Sequence, residues 1–184
     1  MGFSANAFET TIPLNETVHA QRDERPPESP MKVFLMPGEI YMGEKPAEVS
    51  TILGSCISVT MFSRRAKVGA ICHALLPSGH PSVAPEGFRY VDTSILYMLG
   101  MLEKRGIRGS ELEISLLGGS DMIECTRGNI DTVGRKNIET ALRILKGRNL
   151  ELRGSDVGGS MGRKIRFSTA TGRVLLRRIK AVIQ

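Results

Sequence analysis

Every apolar stretch in this chain is short and ends at a glycine, a proline or a charge, which restricts the fold to brief elements joined by tight turns. Lys32-Val33-Phe34-Leu35-Met36 stops at Pro37-Gly38, Ala47 to Leu53 stops at Gly54-Ser55, and the run from Val68 to Leu76 stops at Pro77. Leu112 to Leu117 likewise runs into Gly118-Gly119-Ser120. Runs of this length, alternating or continuously apolar, read as strands, and the one from Val68 reads as buried on both faces. None reaches the roughly 18 apolar residues that a membrane-spanning helix needs. The N-terminus carries no secretion signal, so the expected setting is the cytoplasm, without membrane insertion.

Two segments have helical spacing. In the first, Ile95, Leu96, Met98, Leu99 and Leu102 share a face, with Asp92 expected as the cap and Gly106 as the stop. The second runs from Val133 or Gly134 to Lys146, with Ile138, Ala141, Leu142 and Leu145 on its apolar stripe and Gly147 closing it. Cys56 to Phe62 reads as a strand or a short helix start. Glu151 to Ser155, Lys164 to Ser168 and Arg173 to Ile179 read as strands, the last two forming a hairpin. Two helices among several short strands imply an α+β chain whose sheets are covered by helices on an outer face. Residues 1–30, polar and ending in Arg25-Pro26-Pro27-Glu28-Ser29-Pro30, read as a disordered leader, which leaves 31–184 as a single domain.

The net charge of +6 raises the question of nucleic acid. Much of the excess lies in Arg163, Lys164, Arg166, Arg173, Arg177, Arg178 and Lys180, which alternate with apolar residues as on a solvated strand face. Aromatic residues make up only 5% of the chain and none is interleaved with these cations, so the stacking platforms of a single-strand binder are missing. No nucleic-acid partner is expected.

Of the cysteines, Cys56, Cys72 and Cys125, only Cys56 follows a glycine turn. A turn of that kind can aim backbone N–H groups at a sulfur, stabilising its thiolate, or at a carbonyl oxygen held beside it. Amide attack requires a thiolate, a base and donors for the developing oxyanion. His73 ends an apolar strand at a distance along the chain that suits a strand, a turn and a returning strand, so it is the natural base. Taken singly, a cysteine at a turn is ordinarily an apolar filler and a histidine on a strand a satisfied core residue. Cys72, adjacent to His73, should point to the opposite face and into the core. Cys56, Cys72, His73, His80 and Cys125 lack the short spacings of a zinc site, so no metal is expected.

Leu53-Gly54-Ser55-Cys56, followed by Val68-Gly69-Ala70, His73 and Leu75-Leu76-Pro77, resembles the signature of the chemoreceptor glutamine deamidases, the CheD family. The likeness continues through Leu117-Gly118-Gly119-Ser120-Asp121-Met122, Gly134-Arg135-Lys136-Asn137 and Gly162-Arg163-Lys164-Ile165. It implies an α/β sandwich of mainly antiparallel sheets with two main flanking helices. It also implies hydrolysis of glutamine side chains on methyl-accepting chemotaxis receptors to glutamate, with release of ammonia and no cofactor. Cys56 would be the nucleophile and His73 the base. A threonine upstream of the cysteine completes the family triad. Here Ser50 takes that position by counting and Thr51 by chemical identity, and on an extended strand at most one of them can reach His73. A CheC-type phosphatase is the further partner implied. The competing expectation is a non-catalytic receptor- or phosphatase-binding module on the same fold.

Overall fold

The computed structural model describes residues 29–43, 45–79, 87–121 and 131–180. The strands are β1 (Met31–Phe34), β2 (Ile40–Met42), β3 (Ala47–Leu53), β4 (Ile57–Ser63), β5 (Val68–Cys72), β6 (Leu112–Gly118), β7 (Leu152–Val157), β8 (Gly162–Ser168) and β9 (Val174–Ile179). The helices are α1 (Val91–Lys104) and α2 (Val133–Gly147).

The strands form two sheets, β1-β3-β8-β9 and β2-β5-β4-β6-β7. All pairings are antiparallel except β1 with β3 and β6 with β7. This is the α+β sandwich expected. Strand alternation explains how it packs. Along β4, Ile57, Val59 and Met61 face Ile95, Met98, Leu102 and Ala141 of the helices, while Phe62 joins Val49, Ile71, Ile165 and Phe167 between the sheets. Every residue of β4 is therefore buried. The layers run helices, five-stranded sheet, four-stranded sheet.

Several boundaries differ from the reading above. β2 was unforeseen, because three residues between Gly38 and Gly43 carry no measurable period. β1 ends at Phe34, short of Met36, and the run from Cys56 to Phe62 is a strand that begins at Ile57 and extends to Ser63. β5 ends at Cys72; beyond it the chain keeps only isolated bridges, Ile57 with Ala74 and Leu76 with Tyr90. Asp92 does not cap α1: Tyr90 holds the cap position, and the Asp92 carboxylate accepts instead from the Thr93 and Gly79 N–H groups. α2 turns off through Asn149, at φ 53°, with Gly147 still helical. The leader up to residue 28, His80, Cys125 and most of the loop after Gly79 lie outside the described residues. Among the described residues no helix is long and apolar enough to cross a membrane.

Candidate active site

β3 and β4 are consecutive in sequence but belong to different sheets, so the Gly54-Ser55-Cys56 turn crosses from one sheet to the other at an end of the sandwich. Each carbonyl of that turn is held. Gly54 C=O accepts from Ser120 N–H at 2.8 Å, Cys56 C=O from Gly119 N–H at 2.8 Å, and Ser55 C=O from the side-chain amide of Asn137 at 2.9 Å. The second Asn137 N–H donates to Leu75 C=O at 2.8 Å, just past His73. Asn137 thus staples the Cys56 turn to the His73 segment from α2. It is fully buried, and its Oδ1 has no partner among the described residues.

Close backbone approach explains the glycines around this turn. A Cβ on Gly134 would lie 2.7 Å from Gly119 O, and one on Gly118, where φ is 106°, would overlap Cys56 O. Behind the loop, buried Arg163 donates to Ser120 Oγ at 2.6 Å, to Gly158 O at 2.7 Å and to Asp156 Oδ1 at 2.8 Å. This corrects the expectation that Arg163 shares a solvated strand face. Its parity is that of Ile165 and Phe167, so it points inward, where a full set of acceptors satisfies the guanidinium. Burial pushes the Asp156 carboxyl up, but hydrogen bonds from Arg163 and Arg178 outweigh it and leave the carboxyl below the usual range.

His73 is buried. Its Nδ1 lies 2.8 Å from Thr51 Oγ1, and Thr51 Oγ1 donates its own proton to Leu35 C=O, also at 2.8 Å. A hydroxyl has one proton to give. Thr51 must therefore accept from His73, which puts a proton on Nδ1, so that in the neutral imidazole Nε2 carries the lone pair. Ser50 is not brought to the imidazole; its hydroxyl donates to Val33 C=O at 3.3 Å, on the other face of β3.

The Ile57–Ala74 bridge, with N–H···O distances of 2.9 Å in both directions, sets Cys56 and His73 on the same face of adjacent strands. They are diagonal neighbours, for which Cβ atoms stand roughly 7 Å apart. Among the described residues no hydrogen bond joins the sulfur to the imidazole. Ser58, buried and with an unpartnered hydroxyl, falls across from His73 on this face. Burial lowers the pKa of His73 against the opposing pull of Leu35 C=O and Glu39. Burial also raises that of Cys56, although its own backbone N–H works the other way. Among the described residues no cation contributes to offset the desolvation of the sulfur. Cys72 lies on the helix-facing side, as expected, and burial pushes its thiol up to about 12.

Residues 75–178 match the family model described as CheD chemotactic sensory transduction. A probable chemoreceptor glutamine deamidase CheD 2 of Geobacter sulfurreducens is 48% identical over 147 residues, covering 80% of this chain and 89% of the relative. The chain belongs to the CheD family. A probable chemoreceptor glutamine deamidase CheD of Maridesulfovibrio salexigens is 39% identical over 163 residues, covering 81% of this chain and 92% of that one. One of Methanococcus maripaludis is 33% identical over 141 residues, 77% of this chain and 91% of its own. Within the CheD fold, Asn137 is the site residue whose part was not foreseen. It shares a stripe of α2 with Gly134, Ala141 and Leu145, and a polar side chain on a buried stripe is a legible sign of a structural hydrogen bond.

Proposed function

We propose that this chain is a protein-glutamine deamidase of chemoreceptors, in which Cys56 is the nucleophile, His73 the base and Thr51 the residue that orients His73. The observation that carries the reading is the Thr51–His73 hydrogen bond on the sheet face that also bears Cys56. The names of the relatives supply the substrate class. Residues 31–184 form the single deamidase domain on this reading, acting in the cytoplasm. A CheC-type phosphatase is its proposed partner on resemblance alone.

The raised Cys56 thiol and the lowered His73 favour general-base activation over a preformed ion pair. The Cys56 thiol passes its proton to His73 Nε2 as the sulfur bonds to the glutamine Cδ, and the carbonyl electrons move onto oxygen. Backbone N–H groups of the turn, its carbonyls all engaged elsewhere, are the donors we assign to that oxyanion. Collapse breaks the Cδ–N bond, and His73 returns the proton to the departing nitrogen, which leaves as ammonia. Water then adds to the thioester with His73 taking its proton; the C–S bond breaks, His73 gives that proton to the departing sulfur, and glutamate is released with the free thiol regenerated.

Incubation with a receptor cytoplasmic fragment, followed by peptide mass spectrometry, is the direct test. The expected result is a glutamine-to-glutamate mass change at defined positions. A folded protein that produces none would favour the binding-module reading.

Thr51 and Ser50 separate cleanly in the same assay. Thr51→Val removes the acceptor for Nδ1–H and is expected to lower the rate by about ten- to a hundredfold. Ser50→Ala, on the opposite face, should leave it unchanged, and the reverse pattern would exchange the two roles.

The pH profile follows from the pKa directions. Activity needs His73 neutral, and its pKa is lowered, so kcat/KM should fall on the acid side through a value below the ordinary histidine value of about 6.5. Since the Cys56 thiol is raised, the profile should stay flat through neutrality into the alkaline range. Thiol labelling of Cys56 at mildly acidic pH should be slow. Rapid labelling there would point to a thiolate–imidazolium pair instead.

A further inference from the structure

Both helices pack on the five-stranded sheet, so the four-stranded sheet has one face in the core and the other open to solvent. Alternation decides what the open face carries. Register aligns Phe34, Ser50, Arg166 and Leu175 in one row across the four strands, and Ile52, Lys164 and Arg177 in the next. Lys32 lies on the same face of β1 as Phe34. The short side chain of Ser50 leaves a depression between its larger neighbours, part of a concavity of about 530 Å³.

Two properties of this face coincide. It exposes three large apolar side chains, Phe34 at 54%, Ile52 at 47% and Leu175 at 39%. It also gathers Lys32, Lys164, Arg166 and Arg177 against, among the described residues, a single carboxylate, Glu48, which lies 3.6 Å from Arg166. Among the described residues Lys32, Lys164 and Arg177 have no ion-pair partner. A face kept merely soluble does not need Phe34, Ile52 and Leu175 grouped together. A nucleic-acid platform would offer several stacking rings, and this one has Phe34 alone. What complements it is an apolar stripe bordered by carboxylates.

We infer that the open face of the four-stranded sheet is a docking surface for an acidic amphipathic helix of another protein. Three inter-strand spacings separate Phe34 from Leu175, about 14 Å. A helix of roughly nine residues, between two and three turns, spans that distance. Its apolar residues would cover Phe34, Ile52 and Leu175, and its Asp or Glu side chains would meet the four cations. The surface is separate from Cys56 and His73, which lie on the inner side, so the inference does not depend on the deamidase reading.

The test uses the full chain and two labelled synthetic helices sharing one leucine stripe, one flanked by glutamate and the other by lysine, with binding followed by fluorescence anisotropy. The glutamate helix should bind and the lysine helix should not. Lys164→Glu combined with Arg177→Glu should weaken binding by at least about tenfold, with the thermal unfolding midpoint unchanged because both side chains are exposed. Amide chemical-shift changes should concentrate on β1, β3, β8 and β9. Equal binding of both helices, binding of neither, or shift changes confined to the helical side would overturn the inference. So would tighter binding of an oligonucleotide, or self-association of the chain that the same double substitution abolishes.

Discussion

Cys56→Ala is expected to abolish glutamine-to-glutamate conversion on a receptor fragment, lowering the rate by about a thousandfold or more. Covalent catalysis leaves no substitute, because Ser58 and Thr60 on the same strand are buried, and the exposed Ser55 makes no side-chain hydrogen bond to a base among the described residues. The fold should survive, since Cys56 is only partly buried and its truncation removes one atom. Circular dichroism and the unfolding midpoint would establish this. Cys72→Ala is the matched control: its sulfur is on the helix side of the sheet, so it should cost stability and leave the chemistry in place. Retained conversion in Cys56→Ala would sink the assignment of the nucleophile.

The second large effect belongs to a residue without a side chain. Gly118→Ala should destabilise the protein by about 4 kcal/mol and inactivate what remains folded. The backbone there has φ 106°, and an added Cβ overlaps the Cys56 carbonyl oxygen while lying 3.1 Å from both Ile57 Cα and Leu53 Cδ1. Relief would require β4 or the Cys56 turn to move, which displaces the sulfur from His73. Gly159→Ala isolates the strain from the collision. It also has positive φ, 68°, but a Cβ there meets nothing within 4 Å, so it should cost only about 1–2 kcal/mol. Urea unfolding of the two variants beside the parent measures both. Equal losses would mean that the collision is relieved without cost.

How far the site was legible in the sequence varies residue by residue. The alternation of Ala47, Val49, Thr51 and Leu53 against Glu48, Ser50 and Ile52 already contained the choice between Thr51 and Ser50, because the hydroxyl that shares parity with the apolar residues faces inward. Counting back from the cysteine obscured that signal. Arg163 was misread for a related reason: its charge suggested solvent, while its parity with Ile165 and Phe167 said core. The two long helices and the strands of six or seven residues were readable because each spans enough residues for a period to show. β2, with three, does not.

By itself, the sequence determined the alternation of inward and outward positions, the order of the longer strands and helices, and that a cysteine after a glycine turn stands at family spacing from a histidine. Only the tertiary structure decided that β3 and β4 part into different sheets, that Thr51 reaches His73, and that Asn137 clamps Ser55 from 82 positions away. Periodicity reports whether a side chain is buried but not what it is buried against, and the geometry at Cys56 is set entirely by contacts between segments distant along the chain.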